Sequence, residues 1–317
     1  MGKLEQLTSK FFKPVSDKKN ENGLYASLDD LMNMRHYAAY LRFGKFNKTF
    51  ANQAGEIRSA FKGRGIEMEE LREYGFGDDV RDIDWRVTAR KETPYTRVYL
   101  EEKDREIYVW LDLSAIMMFG SVKELKSVTA AKAAALLGWF SLLNKDRFGC
   151  VIFDGAKSFV FKARGNRACL AAVLKKISSL SKEALKQRNL NDAERQKSLK
   201  LLQKTAGNRA NVFLISSFES WFADFQADLA PLVRTNSVYL MDVFDKLERK
   251  APPAGQYMVQ WGDEKLVFDS SSKNYRRDYV AYFDAKRQKI RDFCRKFDCR
   301  FGEISSETGF VGKMKIF

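Results

Sequence analysis

The chain has 317 residues, 45% of them apolar and 25 of them phenylalanine, which excludes a wholly disordered protein, while only 5 prolines argue against long rigid linkers. Its formal net charge of +15 favours anionic partners, yet the basic residues are spread along the chain as solvated helix faces would be, with no nucleic-acid motif beside them. One histidine, His36, removes most catalytic triads and His-metal centres, and four cysteines without a CxxC pair make zinc improbable and fit reduced cytosolic thiols.

Residues 1–23 are polar and Lys-rich, expected to be a mobile basic tail without the apolar core of a signal peptide. Ser27-Leu28-Asp29-Asp30 then predicts a capped helix running to about Phe43. The Gly- and Lys-rich stretch 44–65 reads as a linker. From Gly77 to Arg90 acidic and basic residues interleave: Asp78, Asp79, Asp82 and Asp84 with Arg81, Arg86 and Arg90. Gly75 and Gly77 permit a tight turn, and Asp78 or Asp79 can cap a short helix with Val80, Ile83 and Val87 on one face. Arg–carboxylate pairing would lock such a segment into one shape, and the segment is either a structural brace or a partner-facing surface. Residues 24–105 form the N-terminal region in this division of the chain, and residues 106–317 the main domain.

Within the main domain strands and helices alternate. Ile107–Leu113 is an apolar run suited to a strand covered on both faces. A long helix over Lys123–Leu143 follows, too short in its apolar part to cross a bilayer, which takes ~20 residues. Strands are predicted at Phe148–Phe153, Ser158–Phe161, Asn211–Ile215, Ser237–Val243 and Arg300–Ile304, and helices at Arg167–Leu180, Ala193–Lys204, Trp221–Val233 and Tyr275–Phe297. In the last helix Tyr279, Tyr282, Phe283, Ile290 and Phe293 are expected to face inward. A hairpin is expected across Gly262-Asp263. The pattern predicts an α/β fold with a doubly wound, mainly parallel sheet, whose ligands bind beyond the carboxyl ends of the strands, where Asp112-Leu113-Ser114 falls. There is no Walker A motif, and no GxGxxG opens a helix after a strand.

Gly77-Asp78-Asp79-Val80-Arg81-Asp82-Ile83-Asp84-Trp85-Arg86, Thr88-Ala89-Arg90, Asp112-Leu113-Ser114, Phe119-Gly120-Ser121 and Lys126 together resemble the bacterial "domain of unknown function 58" family, in which a signature segment precedes a von Willebrand factor A-like domain. The resemblance covers roughly residues 28–317. It implies a Rossmann-type fold that binds partners, with members often found beside MoxR-type AAA+ ATPases and other von Willebrand A proteins. It also implies a metal-ion-dependent adhesion site opening with Asp-x-Ser-x-Ser. Asp112 and Ser114 match that opening, but the next position is Ile116. Where the pattern expects Ile-Ser-Asp-Phe, this chain has Ile215-Ser216-Ser217-Phe218, and Arg164-Gly165-Asn166-Arg167 lacks the expected threonine. Mg²⁺ seldom tolerates so few anionic ligands, so the site is expected to be degenerate, with no cofactor, unless Glu219 supplies a carboxylate.

The function expected is therefore a non-enzymatic, cytoplasmic adaptor. Its signature residues are Gly77, Asp78, Asp79, Arg81, Asp84, Trp85, Arg86 and Arg90, and its strand-end binding surface is Asp112, Ser114, Ser121, Ser217 and Glu219. The alternatives are an electrostatic binder of nucleic acid or anionic membrane and a carboxylate-based, metal-dependent hydrolase.

Overall fold

The structure is a computed structural model that describes residues 23–39, 67–76, 78–91, 93–100, 105–186, 190–218, 221–261 and 264–307. The expected tail and the linker at 44–65 lie outside these residues. Two compact units are present: residues 1–42 with 106–317, and residues 43–105.

The predicted first helix is interrupted, and its expected end at residues 40–43 lies outside the described residues. Ser27 and Asp30 form a reciprocal capping box that starts α1 (Leu28–Asn33), but the helix breaks at Met34 and resumes as the single turn α2 (Arg35–Ala38). His36 is exposed there and accepts a hydrogen bond from Arg35 Nε at 3.2 Å.

The smaller unit holds β1 (Glu67–Glu73), α3 (Trp85–Lys91) and β2 (Tyr95–Leu100). β1 and β2 pair antiparallel, with an irregularity between Met68 and Glu70. The predicted helix over Val80–Val87 is divided: a 3-10 turn at Val80–Asp82, an isolated bridge from Ile83 to Thr96, then α3.

The main unit is a six-stranded sheet built from β3 (Glu106–Asp112), β4 (Arg147–Phe153), β5 (Ser158–Arg164), β6 (Asn211–Ser216), β7 (Ser237–Phe244) and β10 (Arg300–Ser305). The order is β10-β7-β6-β3-β4-β5, parallel throughout except for the β4–β5 hairpin. Its helices are α4 (Lys126–Leu143), α5 (Arg167–Glu183), α6 (Asp192–Ala206), α7 (Phe222–Thr235) and α8 (Lys273–Phe297). A separate hairpin pairs β8 (Gln256–Trp261) with β9 (Glu264–Asp269).

β3 and β4 are apolar along their length because helices cover both faces of the sheet. α4 lies almost wholly buried, and its small residues allow that: a Cβ on Gly138 would come within 2.5 Å of Leu170 Cδ1. On the other face Trp110 stacks near Phe153 (6.1 Å), meets Trp221 at a tilt (5.6 Å), and donates its Nε1 proton to Ser198 Oγ on α6 at 2.9 Å. α1 belongs with this unit and not with the signature segment that follows it in sequence. Ala26 N donates to Ser181 Oγ at 2.9 Å, and Trp139 Nε1 donates to the Leu31 carbonyl at 3.0 Å, which fixes α1 against α4 and α5.

In α8, Ile290 and Phe293 are buried and Tyr279 and Phe283 half-buried, but Tyr282 turns outward with 56% of its surface exposed. All four cysteines are free, and burial pushes the Cys150 thiol far above its ordinary range.

Candidate functional site

Chain order reverses at β3: β4 follows it on one side, and β6 is laid down later on the other. The gap between the carboxyl ends of β3 and β6 is thus the topological switch point, where an open α/β sheet leaves a crevice. Asp112 and Ser216 sit there, both fully buried, and Ser216 Oγ donates to Asp112 Oδ2 at 2.7 Å. Ser114 N donates to Asp112 Oδ1 at 2.9 Å, and Trp221 Nε1 donates to Ser216 Oγ at 3.1 Å. Ser114 Oγ is buried without a hydrogen-bond partner.

Beside them lies a residue that spacing alone does not mark. Lys126 opens α4 with its side chain only 3% exposed, and its Nζ donates to Ser217 Oγ at 3.0 Å and to Glu248 Oε1 at 2.5 Å. Glu248 Oε2 accepts from Asp245 N at 2.8 Å, closing a capping box around the 3-10 turn Lys246–Glu248. Asp245 in turn accepts from Ser121 N (2.8 Å), Ser121 Oγ (2.5 Å), Leu247 N (3.0 Å) and Ser306 Oγ (3.0 Å). The loop after β3 is therefore tied to the turn after β7 and to the end of β10.

Asp242, fully buried at the end of β7, accepts from Phe218 N at 3.2 Å and from Arg249 Nη2 at 3.0 Å, and Arg249 also reaches Glu303 at 2.7 Å. Burial pushes the Asp242 carboxyl up to about 6, against the opposing pull of Arg249 and Lys126. Asp245 goes the other way. Burial alone would raise it, but the hydrogen bonds from Ser121, Leu247 and Ser306 hold it below the usual carboxylate range.

Two opposite contributions to stability follow. A raised folded-state pKa stabilises below 3.8, and that stabilisation is lost as pH climbs towards 6; a lowered one stabilises above 3.8 and is lost as pH falls through the folded value. Carboxyl-selective ¹³C NMR is expected to show one midpoint near 6, absent in Asp242→Asn, and another below 3.8, absent in Asp245→Asn. An ordinary midpoint for Asp242 would place that carboxylate in water.

Of the strand-end surface expected from sequence, Asp112, Ser114 and Ser217 are buried, so they cannot themselves touch a partner; only Ser121 is exposed, and Glu219 lies outside the described residues. What faces solvent on the loop between β3 and α4 is Phe119 (39% exposed), Val122 (61%) and Lys123. The described residues of the crest offer Mg²⁺ few free oxygen donors. Asp112 is its one carboxylate near Ser114 in sequence, both its oxygens already accept hydrogen bonds, and Ser217 Oγ accepts from an ammonium. Among the described residues no group of three or more His, Cys, Asp or Glu could hold a metal. Among the described residues the orphaned Ser114 hydroxyl is the feature in favour of a ligand.

Of the four signature aspartates, Asp78 and Asp84 pair with arginines among the described residues, and those are the flanking Arg72 and Arg97 rather than Arg81, Arg86 or Arg90. Asp78 accepts from Gly75 N (2.9 Å) and Arg72 Nη2 (2.8 Å). Asp79 caps the 3-10 turn Val80–Asp82, as expected, while Asp84 caps the separate helix α3: its Oδ1 accepts from Arg86 N (3.0 Å) and Val87 N (3.2 Å), and its Oδ2 pairs with Arg97 at 2.8 Å. The Arg97 guanidinium holds that carboxyl below the usual range. Asp79 accepts from Arg81 N in the 3-10 turn. Arg81, Trp85, Arg86 and Arg90 are exposed, and among the described residues none of these three arginines has a carboxylate partner. Gly77 lies outside the described residues. Urea denaturation should therefore separate the two kinds of residue: Asp84→Ala lowers stability, whereas Arg90→Ala stays within about 0.5 kcal/mol of wild type. Equal losses would mean that Arg90 is part of the brace.

Comparison with known proteins places the chain among relatives of unknown function. The family model described as "Protein of unknown function DUF58" matches residues 70–289. The uncharacterized proteins Rv1480 of Mycobacterium tuberculosis and Mb1516 of Mycobacterium bovis are each 26% identical over 230 residues, covering 72% of this chain and 70% of theirs. Similar solved structures include the conserved hypothetical protein BatB from Bacteroides thetaiotaomicron, at 12% identity and a TM-score of 0.39 over 63% of this chain and 90% of that one. The SpRpn10 VWA domain is another, at 7% identity and a TM-score of 0.35 over 66% of this chain and 92% of that domain. The chain belongs to the DUF58 family, whose model spans well over half of its length.

Proposed function

We propose that this protein is a non-enzymatic, cytoplasmic adaptor that binds another protein through its crest without a metal ion. The observation that carries this is the inward engagement of the crest's charged groups. Asp112, Asp242, Asp245 and Lys126 bond to neighbouring loops, while the apolar side chains of Phe119 and Val122 meet solvent. A proton-transfer site needs a titratable group within reach of a substrate; a docking site needs exposed apolar anchors on a rigid base. The partner proposed, from family resemblance, is a MoxR-type AAA+ ATPase, alone or with other von Willebrand A-domain proteins, in protein assembly or a stress response. No helix of the described residues is long and apolar enough to cross a membrane.

Calorimetry of the full chain against the MoxR-type ATPase of its own organism tests this. Saturable binding is expected, unchanged by EDTA and abolished by Val122→Glu, whose site is too exposed for the change to unfold the crest. No binding, or binding that EDTA removes, would overturn the reading. The electrostatic alternative is favoured by α8, where Lys273, Arg277, Lys289, Arg295 and Lys296 are exposed. It requires affinity for DNA or anionic vesicles that falls steeply with salt.

A further inference from the structure

Lys126 stands in an electrostatically poor place. It is the first residue of α4, where the helix dipole repels a cation, and its ammonium is withdrawn from water. A lysine placed there for solubility would reach outward, since its stem is long enough to bring the charge to the surface. Instead the Nζ turns inward to Ser217 Oγ on the segment after β6 and to Glu248 Oε1 on the turn after β7, and it lies 5.9 Å from the centre of the Phe119 ring on the loop after β3. Its charge also acts on the buried Asp242 carboxyl at the end of β7.

One positive charge therefore gathers the loops that leave three adjacent strands. A divalent ion at a strand-end crevice would do the same work, by drawing oxygen ligands from several loops around one point of charge. The neutrality of Ser217 fits this. The ammonium already has Glu248 as its counter-ion, and a second carboxylate at 217 would add an anion to a crest that holds Asp112, Asp242 and Asp245 buried. The mismatch between the crest and Mg²⁺ then has a cause: the place is taken by a cation that is covalently part of the chain.

We infer that the Lys126 ammonium is a built-in cation that replaces a divalent ion at the crest, with Ser217 and Glu248 as its oxygen partners. A tethered charge cannot dissociate, so the crest keeps one shape at every Mg²⁺ concentration and under chelation. The inference concerns the same crest as the proposed adaptor surface but not its partner, so a failure to bind the ATPase leaves it intact.

The test converts one kind of cation site into the other. In the full-length protein, Lys126→Met combined with Ser217→Asp removes the ammonium and supplies a second carboxylate near Asp112 and the free Ser114 hydroxyl. Titrated with MnCl₂ and MgCl₂, this double variant is expected to gain saturable, submillimolar binding and a melting temperature that rises with metal, while the wild type shows neither. A purely structural lysine would leave metal binding unmoved. A folded double variant without metal affinity overturns the inference, and so does a wild type that binds Mg²⁺ or Mn²⁺ saturably in the millimolar range. Should the double variant not fold even with Mn²⁺ present, the wild-type titration decides: a flat trace supports the built-in cation and a saturable one overturns it.

Discussion

Lys126→Met is expected to destabilise the main unit by about 3–5 kcal/mol in urea denaturation, the cost of leaving a buried charge without its counter-ion. The loss is not one of volume, since methionine follows the path of the lysine stem with nearly the same reach. It arises because Glu248, with 15% of its side chain exposed, keeps a carboxylate that has lost its ammonium, and because Ser217 Oγ loses its donor. The charge origin gives a second expectation. Lys126→Met with Glu248→Gln removes both charges, lets the amide still accept from Asp245 N, and is expected to recover more than half of the loss. If the double variant is as unstable as the single one, the damage comes from packing around α4 and not from the orphaned carboxylate. The helix dipole sharpens the contrast, because removing a cation from a helix N-terminus should by itself be favourable by about 0.3–1 kcal/mol.

The parts of this molecule that the sequence revealed are those where one local rule suffices. Runs such as Ile107–Leu113 and Asn211–Ile215 can only be strands buried on both faces, and they became β3 and β6. β1 was not legible, because Glu67-Met68-Glu69-Glu70-Leu71-Arg72-Glu73 has the composition of a solvated helix and becomes a strand only by pairing with β2. The signature was half legible. Alternating charge announces ion pairs, but which arginine pairs with Asp84 depends on the bridge from Ile83 to Thr96, which brings Arg97 of β2 alongside. The crest was legible in place and not in role. Asp112 and Ser114 mark the strand end, yet only the fold shows them turned inward. Asp242, Asp245 and Glu248 carry no motif, and Glu248 meets Lys126 across 122 residues of chain. One signal was present: a lysine opening an apolar helix defies the dipole, and such a residue needs an acid waiting for it.

Arg195→Ala is expected to cost about 2–4 kcal/mol, and Arg195→Met less than about 1.5 kcal/mol, since the first opens a cavity and the second fills it. Arg195 lies on α6 with 1% of its surface exposed, its guanidinium 5.5 Å from the Phe153 ring, 5.2 Å from Trp221 and 5.9 Å from Phe225. Its ion partner, Asp192, is largely in water, and its Nε and Nη2 have no hydrogen-bond partner. Two buried donors without acceptors cost a few kcal/mol, and attraction to three ring faces, roughly 0.5–2 kcal/mol each, offsets much of that. With the charge terms near cancellation, the side chain contributes mainly as a filler that holds Trp221 in place. Trp221 is the outer member of the relay through Ser216 to Asp112, so a cavity at Arg195 should loosen the crest, and hydrogen exchange of the Ser114 amide should quicken in Arg195→Ala but not in Arg195→Met. Equal destabilisation by the two substitutions would show instead that the positive charge among the rings holds this face of the sheet.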